Sequence, residues 1–208
     1  MIEINNLQKK FEEKILFDDY NLKIEDGEFV VLSGESGSGK TTLLNMIGGL
    51  ELINKGTIFV NGIDITKRKN QVKYYRDIVG FLFQNFALVD KKTVRQNLKL
   101  VKRSTRSGVT IEEALDKVGL LDKIDTRVYK LSGGEQQRVA LARLMVKKCK
   151  LILADEPTGS LDSKNAELVI EILKNLNKEG KTVILVTHVN EYKNIGDRCI
   201  EIQQNSQL

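Results

Sequence analysis

One octapeptide restricts the folding options of this chain more than any other stretch. Gly34-Glu35-Ser36-Gly37-Ser38-Gly39-Lys40-Thr41 has the spacing G-x-x-x-x-G-K-[ST]. Its flanks are as informative as the pattern. Residues 28–33 form a short apolar run of strand type, and residues 41–47 have helical spacing. A strand that turns through glycines into a helix aims backbone N–H groups inward and leaves a helix N-terminus behind them, and together these make an anion cradle. Glycine suits the loop because the backbone must turn sharply and approach bound oxygens closely. Lys40 is then placed to reach the β- and γ-phosphates of a nucleotide, and the Thr41 hydroxyl to ligate Mg2+. A flexible Gly/Ser turn would explain neither the lysine nor the flanking elements.

The rest of the chain alternates strand-type and helix-type runs, which argues for an α/β fold with a largely parallel sheet. Strands are expected at residues 2–7, 21–24, 28–33, 56–60, 78–83, 151–154 and 182–186, with a late strand at 198–202. Asn61-Gly62 reads as a turn closing the fourth of these. From about residue 84 to 147 the pattern becomes helical, with helices expected at 94–100, 111–118 and 134–146, and an amphipathic helix follows at 163–177. A helical block within a β/α alternation suggests a lobe inserted into one core. No repeat, low-complexity tract or proline-rich linker divides the chain, and Pro157 is the only proline.

Two further segments carry chemistry. The apolar run at 151–154 ends in Asp155-Glu156. In a parallel sheet ligands lie beyond the C-terminal strand ends, so both carboxylates should come near the phosphates. Asp155 would hold Mg2+, and Glu156, one residue on, would polarise the attacking water. Leu131-Ser132-Gly133-Gly134-Glu135 opens a helix that continues Gln136-Gln137-Arg138. Ser132 and Glu135 have capping-box spacing, while two glycines at a helix start are unfavourable unless a ligand must come close. The segment therefore reads as a second anion cradle.

With these motifs in place, the chain resembles the ATP-binding subunit of ABC transporters over essentially its whole length. Residues 131–135 match that family's signature motif; residues 34–41 and Asp155-Glu156 match its two Walker motifs. The resemblance implies a P-loop NTPase core with a mainly parallel sheet, an antiparallel β subdomain and an inserted helical lobe. It implies one ABC ATPase domain over 1–208, with 1–83 and 148–208 as the nucleotide-binding core and 84–147 as the lobe. Gln84 matches the Q-loop glutamine, a Mg2+ contact that senses the membrane subunit. Ser160-Leu161-Asp162 matches the D-loop, and His188 the switch histidine that touches the γ-phosphate. Thr42 falls with Gly34 to Thr41 in the ATP-binding set. Phe11 occupies the place of an aromatic that stacks on adenine; a packing role for that ring stays open from the residues alone. ATP and Mg2+ are the implied cofactors. A head-to-tail homodimer formed on ATP binding is implied too, with the signature acting in trans. The implied catalytic set is Glu156, His188 and Gln84, and the metal contacts are Thr41, Gln84 and Asp155. The further implied partner is an integral membrane permease.

Asn45-Met46-Ile47-Gly48-Gly49-Leu50 and residues 154–162 resemble the branch serving macrolide, peptide and lipoprotein-release systems. The absence of proline after Gln84 resembles the bacteriocin (lactococcin-type) export group. A DNA-repair or chromosome-organising ATPase shares the same motifs, but the residues between Thr41 and Leu131 show neither sustained heptads nor zinc spacing. An ATP-switched regulatory module of a membrane complex, without transport, stays open.

Composition fits this reading. Apolar residues are 41 % and charged residues 29 % of the chain, within the ordinary globular range. No run approaches the ~20 apolar residues of a membrane span, and the N-terminus lacks a signal-peptide layout. The expected location is cytoplasmic, on the inner face of the membrane through the permease. Cys149 and Cys199 fit neither a disulfide framework nor a metal site. The net charge of +5 gathers at Lys67-Arg68-Lys69, Lys102-Arg103 with Arg106, and Lys147-Lys148 with Lys150. No aromatic residues interleave with these clusters, so a nucleic-acid partner is not expected.

Overall fold

The computed structural model describes residues 1–12 and 14–203. Strands β1 (Ile2–Phe11) and β2 (Lys14–Ile24) pair antiparallel and run well beyond the expected 2–7 and 21–24. Asn5-Asn6 and Asp18-Asp19 are polar pairs within these strands. They are absorbed at register shifts, with Asn6 at φ 49° and Asp19 at φ 50°, the left-handed backbone that Asn and Asp tolerate best. Strand β3 (Phe29–Ser33) follows, buried throughout, and leads through the glycine loop into α1 (Lys40–Ile47). Strands β4 (Lys55–Val60) and β5 (Ile63–Asp64) form a hairpin whose Asn61 and Gly62 both have positive φ, as a two-residue hairpin turn requires.

Helix α2 (Arg68–Asp77) has no counterpart among the sequence expectations. Tyr74 is its one buried residue, so it presents no apolar stripe to read. Two tyrosine hydroxyls hold it instead: Tyr74 donates to Ile47 O at 2.7 Å and Tyr75 to Gly49 O at 2.6 Å, both at the C-terminal end of α1. The basic run Lys67-Arg68-Lys69 is thus the start of this helix.

Strand β6 (Val79–Leu82) precedes the helical stretch of α3 (Val94–Leu98), α4 (Ile111–Lys117) and α5 (Gly133–Val146). All three open on a capping box: Thr93 with Gln96, Thr110 with Glu113, and Ser132 with Glu135. That device satisfies helix-start N–H groups that would otherwise be orphaned. Strand β7 (Leu151–Asp155), helix α6 (Ser163–Lys178), strand β8 (Thr182–Val186) and strand β9 (Arg198–Glu201) complete the chain.

The strands form two sheets. One is antiparallel in the order β2-β1-β4-β5; the other is parallel in the order β6-β7-β8-β3-β9. Alternate residues of the parallel sheet feed opposite cores. Val31, Ile152, Ala154, Val183 and Leu185 pack with α3 to α6, whereas Val30, Leu32, Leu151, Leu153, Ile184 and Val186 pack with α1, α2 and the antiparallel sheet. Apart from its exposed edge strand β9, the sheet is therefore buried on both faces, which is why those strands are continuous apolar runs. The fold is the α/β class read from the sequence, with a parallel core sheet, an antiparallel layer and a helical block. Lys147, in one of the basic clusters, is largely buried and donates to Tyr75 O at 2.8 Å and Val79 O at 2.7 Å. Cys149 is buried and Cys199 exposed, and neither is in a disulfide.

Candidate active site

Strands β7, β8 and β3 are neighbours and run in the same direction, so their C-terminal ends share one edge of the sheet. From that edge emerge Glu156 after β7, Thr187 and His188 after β8, and Gly34 after β3. They open into a cleft of about 420 Å³ lined by Ser36, Gly37, Gly39, Lys40, Thr41, Thr42, Glu156 and His188 from this edge and by Phe11, Lys14 and Leu16 from the antiparallel sheet.

The glycine loop is shaped for an anion. Gly34 has φ 135°, and a Cβ there would lie 2.3 Å from Ile202 O. Gly39 caps α1 at φ 104° with no side-chain hydrogen bond, and no acidic residue occupies the first turn. The first turn thus gives the positive end of the helix no acidic side chain of its own. Lys40 folds back, its Nζ donating to Gly34 O at 3.0 Å and Glu35 O at 2.7 Å. Ser38 Oγ is buried with no hydrogen-bond partner among the described residues, an orphan that an oxyanion within the loop would satisfy.

Across from the loop, Thr41 Oγ1 donates to Asp155 Oδ1 at 2.9 Å. Burial, and after it the Glu156 charge, push the Asp155 carboxyl up, against the Thr41 hydroxyl bond and the Lys40 charge. A desolvated carboxylate facing a hydroxyl oxygen is a hard donor pair suited to Mg2+. Glu156 sits at φ 44°, an uncommon conformation for a side-chain-bearing residue. Its Oε2 lies 2.8 Å from His188 Nδ1 and accepts from the His188 N–H at 3.4 Å. Gln84 is exposed, yet it borders the same place: a Cβ built on Gly159 would be 3.8 Å from both Gln84 Nε2 and His188 Cε1.

The 131–135 segment and the 160–162 segment do not line this cleft. Ser132 forms the reciprocal capping box with Glu135, at 2.8 Å to Glu135 Oε2 and 3.3 Å from Glu135 N. The two glycines separate in purpose. A Cβ on Gly134 would meet the Asn165 side chain at 2.7 Å, so packing within the chain requires that glycine. Gly133 is exposed, with nothing nearer than Phe86 Cζ at 3.9 Å, so no intrachain contact requires it. Gly134 thus has a packing reason to be glycine beside the ligand role read from the sequence. Leu131 is buried, Ser160 is exposed, Leu161 is half-buried, and Asp162 caps α6 by accepting from Asn165 N at 2.9 Å. Asn165 also bonds Arg138 of α5, which ties the two segments together.

Sequence reasoning missed Lys14 and Leu16 in the cleft, because β2 was expected to begin only at residue 21. It also missed Arg143, whose guanidinium donates to Ala87 O at 2.5 Å and Phe86 O at 3.0 Å. These are two successive residues with positive φ just after Gln84, and nothing in sequence spacing marks that tie.

The comparisons with known proteins agree with this geometry. The family described as ABC transporter matches residues 17–159. An ABC transporter ATP-binding protein of Bacillus subtilis, YvrO, is 40 % identical, covering 98 % of this chain and 93 % of its own. The glutamine transport ATP-binding protein GlnQ of the same organism is 42 % identical over 100 % of this chain and 89 % of its own. The macrolide export ATP-binding/permease protein MacB of Campylobacter jejuni is 39 % identical over 100 % of this chain, which spans 34 % of that longer protein. Among solved structures, a dimeric ABC transporter cassette, MJ0796, superposes with TM-score 0.86 at 37 % identity, covering 97 % of this chain and 94 % of that one. A dimer of the same cassette bound to ADP and Pi gives TM-score 0.85. The chain belongs to the ABC transporter family, of which it is an ATP-binding, ATP-hydrolysing domain.

Proposed function

We propose that two copies of the chain pack head to tail on ATP binding, each nucleotide lying between the 34–41 loop of one copy and the segment Ser132-Gly133-Gly134 of the other. One observation carries this: the second candidate anion cradle does not line the cleft, and its Ser132 and Gly133 are exposed. The dimeric state of the similar cassettes supports it.

In that site Phe11 stacks on adenine, the loop N–H groups and Lys40 hold the phosphates, and Thr41 and Asp155, with Gln84, would hold Mg2+. The ion would supply charge neutralisation to the phosphates. Glu156 orients a water against the γ-phosphorus and takes its proton as the new P–O bond forms. The bond to the bridging oxygen breaks, and ADP leaves with the electron pair. His188 holds Glu156 in place through its backbone N–H and offers its imidazole N–H to γ-phosphate oxygens.

Hydrolysis then drives a separate integral membrane permease from its cytoplasmic face. No helix among the described residues is long and apolar enough to cross a membrane, and in MacB, by its name, ATP-binding and permease functions share one protein. The permease contact is placed around residues 84–93, within the 84–147 lobe, and charge reversal at Asp90 should release it while free ATPase activity survives. We read the cargo as a peptide, bacteriocin or hydrophobic compound moved outward. The motifs at 45–50 and 154–162 and the absence of proline after Gln84 support this reading. Cross-linking the Glu156→Gln protein with ATP in its native cells tests the scheme. Recovery of a multi-span permease is expected; recovery of soluble proteins or nucleic acid alone overturns it.

A further inference from the structure

Lys9 lies two residues before Phe11 on β1, so both side chains leave the same face of the strand. Its side chain is 7 % exposed. A buried ammonium needs its three donors matched, and here three acceptors surround it. Nζ lies 2.6 Å from Glu51 Oε1, 2.8 Å from Leu52 O and 4.2 Å from the centroid of the Phe11 ring, over its face. No donor is left over for a phosphate. Glu51 and Leu52 belong to the loop that leaves α1, the helix whose N-terminus closes the phosphate cradle. Phe11 is 47 % exposed and lines the nucleotide cleft. One side of its ring therefore rests on a fixed cation while the rest stays open to the cleft.

We propose that Lys9 is a positioning residue for the nucleotide base: anchored to the 51–52 loop, it fixes the Phe11 ring at a set reach from the phosphate cradle and polarises the face on which adenine stacks. The inference rests on reading Phe11 as the adenine platform. A phenyl ring has no polar atom through which a hydrogen bond could orient it, so a cation over its face is the directional contact open to it. Without that contact the half-exposed ring regains rotamer freedom, which base binding must then remove. The salt bridge and the carbonyl bond keep the cation from leaving for solvent.

The test is calorimetric titration of the full chain with Mg-ATP and with Mg-tripolyphosphate, which carries the phosphates without a base. Lys9→Met should weaken ATP binding about five-fold, the loss of one partly desolvated cation–π contact, and leave tripolyphosphate binding unchanged. Lys9→Arg should restore ATP affinity. The double variant Lys9→Met/Phe11→Ala should bind ATP no more weakly than Phe11→Ala alone. If Lys9→Met does not fold, Lys9→Gln, which keeps two donors and removes the charge, replaces it with the same expected outcomes. Unchanged ATP affinity in the Lys9 variant beside a weakened Phe11→Ala overturns the role of Lys9 and leaves the platform standing. An equal loss for tripolyphosphate overturns it as well, by showing a general effect on the cleft. Unchanged ATP affinity in Phe11→Ala removes the platform itself.

Discussion

Exchanging the Glu156 carboxylate for an amide separates proton transfer from everything else that residue does. Glutamine has the same shape, so it can occupy the same backbone at φ 44°. Its amide oxygen can still accept from His188 Nδ1, now 2.8 Å from Oε2, and from the His188 N–H at 3.4 Å. The like-charge push of Glu156 on the Asp155 carboxyl disappears. What is lost is the base. A general base contributes on the order of 10²–10⁴ in rate, or about 2.7–5.4 kcal/mol of barrier at 1.36 kcal/mol per decade. Phosphate release at saturating Mg-ATP should fall by that factor, while the Kd for ATP stays within about three-fold of the parent, as a role confined to the transition state requires. Because the ATP-bound dimer no longer turns over, a dimer-sized species should accumulate with ATP and disperse when ATP is removed. Turnover within about ten-fold of the parent would refute the assignment of the base. Loss of ATP binding would show that the residue's main work is structural.

The two glycines of the signature should respond oppositely to alanine. Gly134→Ala drives a Cβ to 2.7 Å from Asn165, whose side chain bonds Asp162 and Arg138, and should destabilise the protein by about 1–3 kcal/mol. Gly133→Ala meets nothing within 3.9 Å and should stabilise the isolated chain by about 0.5–1 kcal/mol yet abolish ATP-driven dimerisation; chemical denaturation and light scattering report both. Asp155→Asn should raise the thermal midpoint of the nucleotide-free chain while removing Mg2+-dependent ATP affinity. The sign follows from burial holding the folded carboxyl above its unfolded value. Its contribution to stability is present below the unfolded value and lost as pH rises through the folded one, so at neutral pH the ionised group is a cost that the amide removes.

How much of this was legible in sequence depended on whether the signal was local. The 34–41 loop, the acidic strand end and the Ser132–Glu135 capping box are short-range patterns whose chemistry and geometry coincide. The parallel strands were legible because burial on both faces leaves continuous apolar runs. Helix α2 was not, since it is held by two tyrosine hydroxyls reaching α1 and has no stripe. The first half of β2 was hidden because the polar pair Asp18-Asp19 interrupts its apolar pattern, and Lys14 and Leu16 of the cleft were hidden with it. The grip of Arg143 on the carbonyls of Phe86 and Ala87 joins residues far apart in the chain, and the partnership of Lys9 with Glu51 is of the same kind. Spacing within a segment cannot carry such information.

The signature segment poses an electrostatic problem that the structure resolves. A helix N-terminus attracts phosphate through its partial positive charge, but the capping box that starts α5 places the Glu135 carboxylate in the first turn. An uncompensated acid there would repel the γ-phosphate of a nucleotide held by another copy. Lys123 answers it, with Nζ 2.5 Å from Glu135 Oε1. That bond, followed by the hydrogen bond from Ser132 N, holds the Glu135 carboxyl below its ordinary range. The carboxylate can thus cap the helix without cancelling the field of its N-terminus. Lys123→Ala leaves the bond from Ser132 N to Glu135 Oε2 and the cleft in place, since Lys123 meets only the other carboxylate oxygen and does not line the cleft. It should therefore spare ATP binding to the monomer and weaken ATP-driven dimerisation of the Glu156→Gln protein several-fold, most at low salt, where a charge near the surface is least screened. Equal dimerisation with and without Lys123 at low salt would falsify this account of the cradle; restored dimerisation in Lys123→Ala/Glu135→Gln, where the repelling charge is gone as well, would be its strongest support.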